Sequence, residues 1–213
     1  MTARTTAREA LLDRCIEFLT SNGFSELSLR QIAAGTGTSH RMLIYHFGNR
    51  EGLLTAVVNR VEALQREALV AMARETDDPI ELGRRFWRRL TDPSLAGAER
   101  LFFEVYAQAL YGREWTESFR ATVIAAWAGP VEELFVHYGF SREEARARAR
   151  LGIAATRGLL LDLLLTGETQ VLDEAAELLG GLLTRPTSPA PTSPAPTSPA
   201  PTSPATPRSA ATR

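Results

Sequence analysis

Apolar residues recur along this chain at helical spacing, and strict alternation of useful length is absent, so the pattern predicts helices throughout. Leu11, Leu12, Cys15, Ile16 and Leu19 form a first row that the SNG triplet at 21–23 stops. Ser28 with Gln31 three residues on has capping-box spacing, and Leu29, Ile32 and Ala33 give the short helix behind it an apolar face ending near Gly35. Gly37 suits a left-handed turn, and Ser39 is placed to cap a next helix whose Leu43 and Phe47 point inward. After Gly48 and Asn49, the row Leu53, Leu54, Val57, Val58, Val61, Leu64 predicts a long helix running to about position 75.

Asp78 before Pro79 combines a cap with a first-turn proline and starts another helix. The segments DPS at 92–94, YGR at 111–113 and HYGF at 137–140 break the rest of the chain into further helices. Ser141 and Glu144 repeat the capping-box spacing and open a helix reaching about position 165, and a last one spans about 170–183. The reading is all-α with about nine helices. An N-terminal three-helix helix-turn-helix domain, 1–52, is joined by a long helix to a larger helical domain, 53–185. From Pro186 the unit PTSPA occurs four times in succession. Proline fixes φ and removes donors, and the unit has almost no apolar bulk, so 186–213 is expected to be an extended, disordered tail. Its P-x-x-P spacing would suit a proline-reading partner, or the tail is a solvated spacer.

With 213 residues, 44% of them hydrophobic, the chain can bury a sizeable core. A formal net charge of -1 gives no support to a generally basic nucleic-acid binder, so a DNA reading depends on where the charges lie. Residues 1–60 hold seven Arg against five acids and two of the three histidines, and the remainder is net acidic. Cys15, the single cysteine, excludes an intrachain disulfide and reads as a buried thiol, which fits a reducing cytoplasm. No apolar N-terminal run resembles a secretory signal, and the stretch 151–165 is interrupted by Arg157 and Asp162 and is shorter than the roughly 20 residues of a membrane span. A soluble cytoplasmic protein with no membrane partner is therefore expected.

The chemistry concentrates between positions 28 and 50. Two short helices around a Gly turn would present the second as a rod fitting a major groove about 12 Å wide. His40, Arg41, Ile44 and Tyr45 share the face opposite Leu43 and Phe47. An outward Ile and Tyr beside Arg need a cover, and DNA supplies one: Arg41 can fork onto guanine, Ile44 can meet a thymine methyl, and Tyr45 and His46 can reach phosphate. His46 can equally cap the last carbonyls of its own helix, and Arg50 can pair with Glu51 or Glu62 instead of a phosphate.

The segment LSLRQIAAGTGTSHRMLIYHFGNREGLL, 27–54, resembles the TetR-type transcriptional repressors. Ser28, Ile32, Ala33, Gly37, Ser39, Leu43, Tyr45, His46, Phe47, Glu51 and Leu53 match that family's pattern. The resemblance implies that Ser28 and Ser39 meet phosphates, that His40 and Arg41 reach bases, and that Tyr45, His46 and Arg50 clamp the backbone. It also implies a regulator that binds a double-stranded operator as a homodimer and answers to a small-molecule effector, which makes 53–185 a helical ligand-binding and dimerisation domain. Three positions depart from the pattern: Thr38, kept in the candidate DNA-binding set, stands where Val is frequent, Arg41 where Gly is frequent, and Ile44 where a first Tyr is usual. The operator read here is therefore this chain's own.

The stretch 145–165 is apolar nearly all round, and with the leucines of the last helix it suggests a two-fold four-helix interface carried by Gly152, Ala155, Leu159, Leu163, Leu178 and Leu182. Such a dimer calls for a palindromic site. The aromatic middle helices offer a lining for a mostly apolar effector: Phe86, Trp87, Phe103, Tyr106, Trp115, Phe119 and Trp127, with Arg157 among the polar candidates. Repression released by the effector is the expected function. The alternative is a ligand-independent DNA-binding or interaction protein docking a partner through the proline-rich tail. An enzyme is not expected, nor a cofactor or metal: Cys15 lies in a core row, His137 lacks a carboxylate at productive spacing, no cluster has metal-ligand spacing, and Glu143 and Glu144 are explained by capping.

Overall fold

The computed structural model describes residues 3–22 and 27–186. The tail expectation thus falls, from position 187 on, outside the described residues. Ten α-helices are present among them: α1 (Ala3–Asn22), α2 (Leu29–Gly35), α3 (His40–Phe47), α4 (Arg50–Ala73), α5 (Pro79–Leu90), α6 (Ala96–Leu110), α7 (Glu117–Thr122), α8 (Ala125–His137), α9 (Arg142–Thr166) and α10 (Thr169–Thr184), with single 3-10 turns at Pro93–Leu95 and Glu114–Thr116. The helix starts follow the capping chemistry. Ser28 and Gln31 close a reciprocal box, Ser39 accepts from the Met42 amide, Asn49 from the Gly52 amide, Asp78 from the Ile80 amide, and Ser141 with Glu144 closes a second box.

The segment between 113 and 137 is divided, whereas the sequence pattern predicts one element there. A turn at Val123 and Ile124 separates α7 from α8, and the Val123 carbonyl accepts from Arg157 Nη2 at 2.8 Å. A side chain from α9 thus satisfies a carbonyl at the break. His137 also differs from expectation, since it lies 3.3 Å from Asp77 Oδ1, a surface pair with both groups exposed.

One apolar core runs without a break from the head into the body. Leu11, Cys15 and Leu19 of α1, Ile32 of α2, Leu43 of α3 and Leu53 and Val57 of α4 join Leu101, Phe102 and Val105 of α6 and Phe119 of α7. Burial pushes the Cys15 thiol up to about 11, so it packs as a small apolar group. Two close backbone approaches lock this arrangement. A Cβ on Gly52 would stand 2.1 Å from the Phe47 carbonyl oxygen, and one on Gly97 would stand 2.2 Å from that of Thr20, which ties α6 directly to α1. A smaller cluster of Trp87, Leu90, Leu160 and Leu172 joins α5, α9 and α10, where Trp87 Nε1 donates to Asp173 at 2.6 Å.

The open apolar face on α9 has a different register from the expected one. Gly152 is buried against Leu183, and Leu159 and Leu163 pack on the Trp87 cluster, so these three face into the core of the chain; Ala155 is half-buried. The solvent side of α9 instead carries Leu151, Ala154, Gly158, Leu161 and Leu165, spaced 3 and 4 apart, beside Val171, Leu178 and Leu182 of α10. Leu165 is 82% exposed and Leu178 65%. No described helix is long and apolar enough to cross a membrane.

Candidate functional site

The α2–α3 turn is held rather than merely formed. Gly35 lies so close to Phe18 of α1 that a Cβ there would meet the ring at 2.1 Å, and Gly37 takes φ +65°. Thr36, buried, donates its hydroxyl to the Ile32 carbonyl at 2.7 Å, while Arg14 of α1 donates to the Thr36 carbonyl at 3.2 Å. From behind, Leu43 and Phe47 sink into the core, and Arg8 of α1 sits over the Phe47 ring at 5.1 Å. The peg is therefore buttressed by α1 and α4 on its dry side.

Its wet side carries the expected residues. His40 and Arg41 are exposed, Ile44 is 39% exposed and Tyr45 57%. Ser28 and Ser39 are exposed at the starts of their helices, and Thr38 is half-buried in the turn, its amide bonded to the Ala33 carbonyl at 2.9 Å. Met42, 41% exposed beside them, escapes the sequence pattern, which divides its neighbours Arg41 and Leu43 between the two faces. The Tyr45 and His46 rings stack edge to face at 4.9 Å, and the His46 carbonyl accepts from Arg8 at 3.4 Å, so an arginine of α1 meets the end of α3. Arg50 Nε donates to the Leu27 carbonyl at 3.2 Å and so braces the approach to α2. Glu62, one of the partners weighed for Arg50, is engaged elsewhere.

Away from the head, α6, α9 and the turn before α8 form a cleft of about 390 Å³ lined by Phe103, Tyr106, Ala107, Leu110, Ile124, Arg150, Ile153, Ala154, Arg157, Gly158 and Leu161. Arg157 and Ile153 also line a smaller cavity of about 90 Å³ on their other side, with Phe86, Trp127, Glu62 and Glu99. Arg157 and four of the other seven expected pocket residues, Phe86, Phe103, Tyr106 and Trp127, thus gather at these two spaces. Three do not: Trp87 belongs to the α5–α10 contact, Phe119 is fully buried in the main core, and Trp115 packs against that core.

At the smaller cavity lies a buried polar cluster that the sequence pattern does not announce. Glu62 Oε2 accepts from Trp127 Nε1 at 2.7 Å and from Arg157 Nη2 at 3.2 Å. Glu99 accepts from Gln65 at 3.0 Å, and Gln65 accepts in turn from Arg89 at 2.8 Å. The Arg157 guanidinium stacks 5.1 Å from the Phe102 ring, and its Nη1 is buried with no hydrogen-bond partner among the described residues. Burial raises the Glu62 carboxyl above the usual carboxylate range and pushes Glu99 up to about 7, where the nearby Glu62 charge adds to the effect. The one available signal is in the spacing: Glu62 and Gln65 continue the inward row of Val58 and Leu69 at helical spacing.

Comparison with known proteins agrees with this architecture. Residues 11–57 match the family model described as bacterial regulatory proteins, tetR family. No curated protein matches the chain by sequence. Among solved structures, a transcriptional regulator from Rhodococcus sp. is similar with a TM-score of 0.68 at 19% identity, over 83% of this chain and 95% of that one. A TetR-family transcriptional regulator from Pectobacterium atrosepticum gives 0.66 at 18% identity, over 87% and 96%. The multidrug binding protein EbrR, solved in complex with imidazole, gives 0.57 at 25% identity, over 90% and 94%.

Proposed function

We propose that this chain, whose residues 11–57 match the model of the tetR family of bacterial regulatory proteins, is a ligand-responsive transcriptional repressor of that family acting in the cytoplasm. It binds a palindromic operator as a homodimer and is released by a small, mostly apolar effector. The observation that carries the DNA-binding part is the exposed Arg41, Ile44 and Tyr45 face of α3, backed by a fully packed Leu43 and Phe47. His40 and Arg41 read base edges and Ile44 meets a thymine methyl, while Ser28, Thr38, Ser39, Tyr45, His46 and Arg50 set the helix against the duplex.

The open stripe of Leu151, Leu161, Leu165, Leu178 and Leu182 supports the dimer, since an unpaired apolar face of this length calls for a partner and a second copy supplies the same stripe. Ala154, Gly158 and Leu161 belong to both the stripe and the α6–α9 cleft. A molecule in the cleft therefore bears on how two subunits seat, and it shifts the pair of heads by its differential affinity for the two settings and no more. The likeness to EbrR, a multidrug binding protein, supports a small-molecule effector.

Selection of bound duplexes from a random pool by the purified full chain tests the reading. A palindrome with half-sites about one helical turn apart is expected. Arg41→Ala is expected to relax one base position at about 1–3 kcal/mol, while Arg50→Ala, which frees the Leu27 carbonyl, weakens all duplexes alike. Recovery of no preferred duplex refutes the proposal.

A further inference from the structure

The geometry points to an amphipathic monocarboxylate as the molecule that fills the α6–α9 cleft, its apolar body among the aromatic and aliphatic walls and its carboxylate beside Arg150 and Arg157. This rests on reading that cleft as the effector site. Three observations carry it. The cleft, about 390 Å³, lies at the small end of the roughly 300–1,000 Å³ common for ligand pockets and is walled by Phe103, Ile124, Ile153 and Leu161. Its charged lining is Arg150 and Arg157, with no carboxylate; Glu62 and Glu99 line the smaller cavity on the other side of Arg157. Arg157 gives Nη2 to Glu62 and to the Val123 carbonyl, and its buried Nη1 has no partner among the described residues.

Arg150 and Arg157, the latter sharing its charge with Glu62 of the smaller cavity, make an anion the favoured occupant of the cleft. A neutral apolar molecule would leave the positive wall unanswered. A cation would meet two arginines. A phosphate dianion would need several inward donors, whereas one arginine already paired with Glu62 and the exposed Arg150 match a single carboxylate.

Calorimetric titration of the full chain with two matched series tests this: 4-phenylbutyrate, 4-phenylbutanol and 4-phenylbutylamine, and octanoate, octanol and octylamine. In at least one series the carboxylate binds roughly tenfold or more tighter than the alcohol, as a charge-assisted hydrogen bond warrants. Arg157→Met erases that preference. Since this change also removes a partner of Glu62, a surface variant provides the second arm: Ala107→Trp, on the exposed lip of the cleft, abolishes carboxylate binding with the melting temperature kept. Equal binding of acid and alcohol, tighter binding of the amine, no binding in either series, or binding unaffected by Ala107→Trp overturns the assignment. The same ligands are then added to the complex with a selected duplex. Carboxylate binding that leaves duplex affinity unchanged overturns the effector-release reading alone, and release by the alcohol or amine in place of the acid overturns the carboxylate class alone.

Discussion

Replacing Gly97 by alanine tests the junction between head and body. The added methyl would stand 2.2 Å from the Thr20 carbonyl oxygen, 2.9 Å from its carbon and 3.0 Å from the Thr20 Cα. Heavy atoms rest about 3.5–4.0 Å apart, so α1 and α6 have to separate by roughly 1 Å, and the obstacle is backbone that cannot rotate aside. Overpacking of this kind costs about 1–3 kcal/mol. The gain in helix propensity, about 1 kcal/mol in a helix interior and less in the first turn where Gly97 stands, offsets part of it. A net loss of about 1–2 kcal/mol remains, which for a chain of this size lowers Tm by roughly 2–8 °C. The same substitution at Gly83, inside α5 with nothing within 4 Å of a Cβ, stabilises by about 0.5–1 kcal/mol. Scanning calorimetry of the two variants reads the contrast. If Gly97→Ala melts at or above the parent temperature, the α1–α6 contact is not as close as described and the single continuous core fails with it.

The stripe on α9 and α10 predicts that Leu178→Glu yields a monomer by sedimentation at micromolar concentration, whereas Leu110→Glu, equally exposed but off the stripe, leaves the dimer intact. A dimer surviving the first change moves the interface elsewhere. Glu99 carries a pH signature: its folded-state value of about 7 lies above the ordinary 4.5, so the folded state holds its proton longer than the unfolded one. Stability is therefore highest below about pH 4.5 as far as this group is concerned, falls as pH rises toward 7, and is level above, a loss on the order of 3 kcal/mol that Glu99→Gln removes. Parallel denaturation curves for parent and variant between pH 5 and 8 refute this. Removing residues 186–213 is expected to leave operator affinity unchanged, and a collapse of binding favours the alternative in which the proline-rich tail docks a partner.

The head is legible in the sequence because its determinants are local. Ser28, Ser39 and Asn49 cap within three residues, Gly37 alone can take the turn's φ comfortably, and a short helix with Leu43 and Phe47 on one side has only one way to face. The body is less so, for two physical reasons. Along α9 nearly every position from 151 to 165 is apolar or small, so periodicity carries no phase, and the choice between Leu151 and Gly152 for the open side depends on where Leu183 lies. The buried cluster is hidden because its members come from helices far apart in sequence, and Glu62 or Glu99 alone reads as a solvated acid. Their placement nevertheless links the two regions of interest. Arg50 opens the helix that carries Glu62, 12 residues or about 18 Å further along the same rod, and Glu62 holds the Arg157 side chain that lines the cleft. The rod that braces α3 from behind is thus the same one whose Glu62 holds Arg157 at the wall of the cleft.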